Sequence, residues 1–331
     1  TKSNVDELAR YFFRSVIRGW AGSNEVEKIF RGFPSSHTFK LAMPRRRASA
    51  ALCIAVLISA CARLRSIMPQ RIALSPSRAS DYNQCPLLYR FRAIDKLPEP
   101  KTKAQVKGTL VHAVLENMHK LPREERDYPM AVKMIKPEWA SMVNTDPDLR
   151  ELVPEEEELD FFVEARELVK GYFQMENPQG FDAHECEMYV DTVLPNGVPV
   201  RGFIDRVDVA PTGEVRVVDY KTGKKPIPRY SHDAQFQMRF YALVYWRLFN
   251  TIPTQLRLMY LKVVDSMFLT PGPEELEYFE RDLGELWAKI EGDGKSGDFR
   301  PKTSKLCGWC SFQDLCPAFG GTPPVYPGWP D

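Results

Sequence analysis

The chain has 331 residues, hydrophobic and charged fractions of 44% and 27%, and a formal net charge of +1 at pH 7. These values are ordinary for a globular protein with one large or two small domains. The near-zero charge excludes a global basic field, so any nucleic-acid partner must meet a local patch. Seven cysteines are too few for a secreted disulfide scaffold of this size. In a reducing cytosol they would be metal ligands or buried side chains.

The first 67 residues carry a pattern typical of targeting. An apolar run, Ala48–Ala62, follows Arg45-Arg46-Arg47 and ends in Ile58–Cys61, which resembles a lipoprotein cleavage box. The run is shorter than a membrane span, and a signal peptide begins at the N-terminus rather than far inside a chain. We therefore interpret residues 1–67 as a disordered or spurious extension of a cytoplasmic protein that starts at Met68. A lipoprotein anchored at Cys61 is the alternative.

The next segment, up to residue 180, is predicted to be helical. Ser75 and Pro76 mark a helix start, and Lys107–Lys120 has one apolar stripe. Residues 122–175 are helical and acidic, and we predict a helical insertion over about 122–180. The Glu155–Glu158 run within it is interpreted as a solvated face.

From residue 185 the pattern changes to the period of β-strands. We predict strands at Glu185–Val193, Val198–Val209, Glu214–Tyr220 and Leu256–Val264, with an Asn196-Gly197 hairpin turn and a second turn at 211–213. Helices are predicted at Ala234–Phe249 and Pro273–Ile290. The order of elements gives a mixed α/β core.

Two carboxylates and a lysine lie on neighbouring predicted strands. A tight turn makes these strands antiparallel, so Asp205 and Asp219 come close and repel unless a cation lies between them. Oxygen ligands suit Mg²⁺ or Mn²⁺. Lys221 shares the face of Asp219 and could orient or deprotonate a water. Asp208 points to the other face and is not counted as a ligand. A surface ion pair between Asp219 and Lys221 is the plainer interpretation.

Four motifs in order resemble the RecB-like exonuclease branch of the PD-(D/E)XK nuclease superfamily over roughly Leu74–Phe319. Gly202–Asp205 matches G-h-h-D, Val217–Lys221 matches h-h-D-Y-K, Gly108–His112 matches G-x-x-x-H, and Gln237–Tyr241 matches Q-x-x-x-Y. The resemblance implies a restriction-endonuclease-like core, a mixed sheet flanked by helices, within residues 68–320. It implies that His112, Asp205, Asp219 and the Tyr220 carbonyl bind the metal. The implied catalytic set is Asp205, Asp219, Lys221, Gln237 and Tyr241. Glu116, one turn after His112, is an undecided partner for that histidine.

Four of the cysteines form a further pattern. Cys307, Cys310 and Cys316 have the spacing C-x₂-C-x₅-C, and Cys85 is a suitable fourth ligand. Four thiolates suit zinc or an iron–sulfur cluster, and spacing alone leaves both open. The resemblance favours a [4Fe–4S] cluster, because AddB-type and CRISPR-associated relatives carry one cysteine before the nuclease core and three after it. Such a clasp would join the two ends of the domain, leaving 321–331 as a proline-rich tail.

The implied function is metal-dependent hydrolysis of phosphodiester bonds, in single-stranded DNA attacked from an end, during repair or recombination. A local basic patch would contact the phosphates. Its candidate residues are Arg78, Lys224, Lys225 and Arg229. The chain has no nucleotide-binding P-loop, so any helicase is a separate partner. The competing hypothesis is a non-catalytic iron–sulfur module that binds DNA beside a helicase.

Overall fold

A computed structural model describes residues 71–227 and 231–329. The predicted extension 1–67 and the lipoprotein alternative at Cys61 lie outside the described residues. The helices are Pro76–Gln84 (α1), Pro86–Tyr89 (α2), Lys103–His119 (α3), Tyr128–Thr145 (α4), Leu149–Leu152 (α5), Glu158–Met175 (α6), His232–Phe249 (α7) and Pro273–Ser296 (α8). The strands are Glu185–Val193 (β1), Pro199–Val209 (β2), Val215–Lys221 (β3), Gln255–Tyr260 (β4) and Asp265–Leu269 (β5).

The strands form one five-stranded sheet in the order β1-β2-β3-β4-β5. All neighbours are antiparallel except β3 and β4, which are parallel and connected through α7. The predicted Asn196-Gly197 turn joins β1 to β2, and Gly197 has a φ of +86°, which glycine adopts without strain. This mixed sheet between helices is the α/β core that the sequence predicts, and it agrees with a restriction-endonuclease-like core.

Helices cover both faces of the sheet. One apolar cluster packs α1, α2, α7 and α8 against the sheet, and includes Val217, Phe240 and Leu283. A second cluster packs α3, α4 and α6 against the opposite face, and includes Val218 and Tyr220. Because successive residues of β3 enter different clusters, the strand is buried from both sides.

The structure moves several predicted boundaries. Thr102 and Gln105 form a reciprocal capping box, so α3 begins at Lys103 and not at Lys107. The predicted strand Leu256–Val264 is two strands, because β4 ends at Tyr260 and β5 begins at Asp265. Val264 has a φ of +52° in the intervening turn. The last predicted helix continues from Ile290 to Ser296.

The acidic run is only partly a solvated face. Glu155, Glu156 and Glu157 are exposed, as predicted. The carboxylate of Glu158, however, accepts a 2.6 Å hydrogen bond from the Trp139 indole. It also forms an ion pair with Arg150. The prediction was wrong for Glu158 because helix α6 turns this side chain toward the buried face of α4.

The C-terminal segment folds back onto α8. The Tyr326 hydroxyl donates to the Gly294 carbonyl at 2.6 Å, and the guanidinium of Arg90 lies 5.1 Å from the Tyr326 ring centroid. The Trp329 ring occupies the space where Gly294 lacks a side chain. Within the described residues, no helix has the length and apolarity that crossing a membrane requires.

Candidate active site and metal centre

The site begins where β2 and β3 separate. Their last paired residues toward this end are Arg206 and Val218. Beyond that pair, the Asp205 carboxylate accepts a 2.7 Å hydrogen bond from the Tyr220 backbone N–H. The Asp205 side chain therefore replaces a backbone carbonyl of β2 as the acceptor, and β2 and β3 are no longer paired beyond this point.

Helix α3 brings His112 to this opening. Its Nε2 lies 3.0 Å from the Tyr220 carbonyl oxygen, and its Nδ1 lies 3.5 Å from Asp205 Oδ2. A carbonyl only accepts, so the Nε2–H donates to it and Nδ1 keeps a lone pair toward the carboxylate. Burial lowers the pKa of His112, which favours the neutral ring that binds metals.

Lys221, Asp219 and Gln237 form a closed group on the α7 side of the sheet. The Lys221 ammonium lies 2.7 Å from Asp219 Oδ2 and donates to Gln237 Oε1 at 2.7 Å. The Gln237 amide donates to Asp219 Oδ1 at 2.6 Å. Burial lowers the pKa of Lys221, but the Asp219 carboxylate outweighs burial and raises the pKa above its ordinary value. The lysine is therefore a charged group at neutral pH.

Tyr241 lies one turn after Gln237 on α7, against the start of β2. A Cβ on Gly202 would approach the Tyr241 ring to 3.0 Å, so only glycine allows this contact without displacing the ring. Burial, with the charges of Asp219 and Asp205, raises the pKa of Tyr241. The structure thus brings all five implied catalytic residues to one end of β2, β3 and α7.

One further acceptor of this site, Glu187, was not predicted from the sequence. Glu187 of β1 has a carboxylate oxygen 3.9 Å from His112 Nδ1. Among the described residues, His112, Glu187 and Asp205 are the one set of three His, Cys, Asp or Glu side chains with ligand atoms all within 4.8 Å of each other. Asp219 is outside this set, since its carboxylate is bonded to Lys221 and Gln237. Counting strand register back from the Asn196-Gly197 turn would have placed Glu187 opposite Asp205.

The backbone is distorted at Glu187. Its φ is +49°, in the left-handed region that a glutamate rarely adopts. The flanking pairs, Cys186 with Arg206 and Met188 with Ile204, keep their register. Nevertheless Arg206 bonds to the Tyr220 hydroxyl beneath α3 and α6, whereas Ile204 packs in the cluster with α7. The alternation of faces therefore inverts across this position, which redirects the Glu187 and Asp205 side chains.

The electrostatics of the opening favour a cation. Burial, and then the neighbouring charges of Asp219 and Glu187, raise the pKa of Asp205 well above its ordinary value. Burial likewise raises the pKa of Glu187, with help from Glu116 and Asp219. Carboxylate oxygens and an imidazole lone pair converge without a proton donor between them. This donor set fits a hard divalent ion such as Mg²⁺ or Mn²⁺.

An open cleft of about 470 Å³ adjoins His112. Its walls are Ala104, Gln105, Gly108 and Thr109 of α3 and Thr222 after β3. Most of these residues are small, and a Cβ on Gly108 would lie 3.1 Å from the Thr222 hydroxyl oxygen. The glycine of the G-x-x-x-H motif therefore lets α3 approach Thr222 without a side chain between them.

A buried charge network lies beneath the site. Arg206 is fully buried and pairs with Glu176, directly after α6, and with Asp208, which also binds Arg216. Asp208 therefore faces away from the metal ligands, in line with its omission from them. Glu116, the undecided partner of His112, pairs with Lys120 at 2.7 Å.

The four cysteines of the predicted clasp converge on one small cavity of about 40 Å³. The cavity is also lined by apolar side chains such as Phe91 and Phe312. The backbone N–H groups of Lys302 and Ser304 point to the sulfurs of Cys85 and Cys307, at 3.4 and 3.3 Å. Burial and the three neighbouring thiols raise the pKa of Cys310. Cys85 and the segment 307–316 therefore lie around the same cavity, which is the proximity that the predicted clasp requires.

The predicted basic residues do not form one patch. Lys224 is exposed just after β3, whereas Lys225 pairs with Asp265 at 2.6 Å. Arg78 is half-buried and donates to the Ala73 carbonyl at 2.7 Å. Arg229 lies outside the described residues. Of the three candidates that the structure describes, Lys224 thus has the most accessible charge.

Comparison with known proteins agrees with this geometry. Residues 73–317 match the model of the PD-(D/E)XK nuclease superfamily. The Gene 69 protein of Mycobacterium phage L5 is 25% identical over 295 residues, covering 77% of this chain and 98% of that protein. The Gene 69 protein of Mycobacterium phage D29 is 31% identical over 192 residues, covering 51% of this chain and 67% of that protein.

A solved structure shares the fold. The crystal structure named "Putative exonuclease" from Eubacterium rectale superposes with a TM-score of 0.50 at 12% identity, covering 72% of this chain and 87% of that one. Fold and site define a nuclease with a restriction-endonuclease-like core. The chain belongs to the PD-(D/E)XK nuclease superfamily.

Proposed function

We propose that this protein is a metal-dependent deoxyribonuclease that hydrolyses phosphodiester bonds of single-stranded DNA from an end. The observation that carries the proposal is the meeting of His112, Asp205 and Glu187 with the Lys221–Asp219–Gln237 group where β2 and β3 separate. A role in repair or recombination in the cytoplasm, beside a separate helicase, follows from the RecB-like motifs.

The metal would be held by His112, Asp205 and Glu187, with Asp219 and the Tyr220 carbonyl next to them. When bound, Mg²⁺ or Mn²⁺ polarises the phosphate and lowers the pKa of a bound water. Lys221 keeps its proton at neutral pH because Asp219 is beside it. Its role is therefore to orient the water and to offset the charge that develops on the phosphate, not to act as the base.

The remaining side chains hold this arrangement. Gln237 bonds to both members of the Lys221–Asp219 pair and fixes their separation. Tyr241 stays a neutral phenol that packs against Gly202. Lys224 and Lys225, directly after β3, would add phosphate contacts, with Arg78 and Arg229 as weaker candidates.

Variants of the central pair test the activity. With end-labelled single-stranded DNA and Mn²⁺, Asp219→Ala and Lys221→Ala should each lower the cleavage rate by at least about 10²-fold. Lys221→Ala removes the positive charge that offsets the charge developing on the phosphate. Asp219→Ala removes the carboxylate that holds Lys221 in place beside the metal ligands. Asp233→Ala and Lys295→Ala change exposed residues of the same types and should cleave normally. Undiminished cleavage by Asp219→Ala contradicts the assignment. Binding without any cleavage by the unmodified protein supports the non-catalytic alternative.

We propose further that Cys85, Cys307, Cys310 and Cys316 ligate a [4Fe–4S] cluster. The four sulfurs line one small cavity with apolar walls. The resemblance to AddB-type relatives favours a cluster there over a single zinc ion. The N–H groups aimed at two sulfurs also suit cluster ligands.

Metal analysis of anaerobically purified protein tests the cluster. We expect a brown protein with about four irons per chain. Cys310→Ala should lose the colour and the iron, whereas Cys186→Ala, a half-buried cysteine of β1, should keep both. A colourless protein with one zinc per chain would support the zinc alternative and exclude the cluster.

A further inference from the structure

Two exposed aromatic side chains lie side by side near the metal ligands. Tyr189 of β1 and Phe203 of β2 are cross-strand partners, and their ring centroids are 5.0 Å apart. They are 38% and 53% exposed. Isolated exposed apolar residues are normal, but a pair of exposed aromatic rings beside a catalytic centre indicates a binding surface.

The pair projects from the sheet face that carries His112. Gly202, the neighbour of Phe203, faces Tyr241 of α7. Successive strand residues point to opposite faces, so Phe203 points away from α7, toward the side covered by α3. Its cross-strand partner Tyr189 shares that face.

The pair is also close to the reacting phosphate. Tyr189 and Phe203 lie two positions along their strands from Glu187 and Asp205, a rise of about 7 Å. One nucleotide of the same strand can bridge such a distance. A base attached to a phosphate at the metal site, or to the next phosphate, would reach these rings.

An aromatic surface of this kind can bind a single strand but not a duplex. Every base has a π-face that stacks on an aromatic ring, so such a surface tolerates all sequences. A base within a duplex is already stacked on both faces and cannot present one to the protein. An unpaired base can.

We propose that Tyr189 and Phe203 form a stacking platform for one unpaired base of the strand being cut, which gives the site its preference for single strands. The proposal rests on the proposed nuclease function, and it names the part of the substrate that this surface recognises. The Tyr189 hydroxyl donates to Asp191 at 2.8 Å, which holds its ring in place beside Phe203.

Fluorescence of 2-aminopurine placed singly along a single-stranded oligonucleotide tests the platform, with Ca²⁺ replacing Mg²⁺. The unmodified protein should quench one position strongly. The Tyr189→Leu/Phe203→Leu variant keeps apolar bulk but has no rings to stack, so it should lose that quenching and bind at least about fivefold more weakly. Tyr278→Ala removes another exposed aromatic, on α8, and should change neither value.

An abasic site gives an independent check. Removing the base at the quenched position should weaken binding to the unmodified protein as much as the double variant does, and should not weaken the variant further. Equal quenching by both proteins, or additive losses, overturns the platform, even when Asp219→Ala has shown that the protein is a nuclease. Quenching confined to one position, without cleavage, would instead retain the platform and reject the nuclease function.

Discussion

Glu187 combines an unfavourable backbone conformation with a side chain that faces other acceptors. A non-glycine residue in the left-handed region costs about 1 kcal/mol. Here the same residue inverts the alternation of β1 and directs a carboxylate toward His112. The strain is therefore located at a group that would bind the metal, where strained residues often occur.

Comparing two substitutions at this position separates the backbone from the carboxylate. Glu187→Ala and Glu187→Gly both remove the carboxylate, and both should need more Mn²⁺ for half-maximal cleavage. Glycine tolerates a φ of +49°, so Glu187→Gly should be about 1 kcal/mol more stable than Glu187→Ala. Urea unfolding with EDTA present measures the difference. Equal stability of the two variants would show that the position carries no backbone strain.

The residues of the motifs were predictable because their chemistry is local in sequence. Asp219 and Lys221 are two apart on one strand, and Gln237 and Tyr241 are one turn apart on one helix. Glu187 was not found because its role depends on strand register and on a backbone inversion. Neither leaves a mark in the local pattern of residue types.

At the scale of elements, helix α6 lies close to the end of β4. A Cβ built on Gly171 would lie 2.0 Å from the Leu261 carbonyl oxygen, at the end of β4. That atom is backbone and cannot rotate away. The absence of a side chain at Gly171 therefore sets the distance between α6 and the sheet.

Two glycine substitutions in helices should consequently have opposite effects. Gly171→Ala should destabilise the fold by about 1–3 kcal/mol, because α6 must move outward. Gly292→Ala in α8 meets nothing within 4 Å and should stabilise the fold by about 0.5–1 kcal/mol. Both values are measurable by urea unfolding. A neutral Gly171→Ala would mean that α6 moves outward without cost.

Elements bounded by typical turn residues in the sequence were predictable, and elements without such residues at their ends were not. The Asn-Gly pair at 196–197, which is typical of tight turns, predicted the β1–β2 hairpin. The turn between β4 and β5 consists of Leu261, Lys262, Val263 and Val264, which look like a continuing strand. The parallel pairing of β3 with β4 is non-local, and it arises because α7 returns the chain to the same edge.

At the scale of the whole molecule, His119 at the end of α3 contacts both helix α6 and strand β2 of the sheet. Its Nε2 lies 2.9 Å from the Tyr172 hydroxyl and 3.2 Å from Arg206 Nη1. An arginine only donates, so Nε2 must accept and the ring is neutral. Burial, followed by the charge of Arg206, lowers the pKa of His119 to about 3.

This histidine should make the fold sensitive to mild acid. The unfolded chain binds the proton below a pKa of about 6.5 and the folded protein does not, so stability is complete above that value and falls as the pH approaches 3. Between pH 7.5 and 5.0 the loss should be about 2 kcal/mol.

Urea unfolding of two histidine variants at both pH values checks the origin of this loss. His119→Gln should lose less stability between the two pH values than the unmodified protein, because it cannot bind the proton. His232→Gln replaces an exposed histidine and should retain the full loss. An unchanged loss in His119→Gln would assign the effect to other groups.

The bond from the Tyr220 amide to Asp205 has a consequence for observing the site. Most amide protons of a sheet are shielded from solvent exchange by carbonyls of the neighbouring strand, whereas this one is shielded by a carboxylate. A carboxylate is a stronger acceptor when it is ionised. The exchange rate and chemical shift of this single proton therefore follow the charge on Asp205. The backbone of strand β3 thus contains its own spectroscopic reporter of the charge at the candidate metal site.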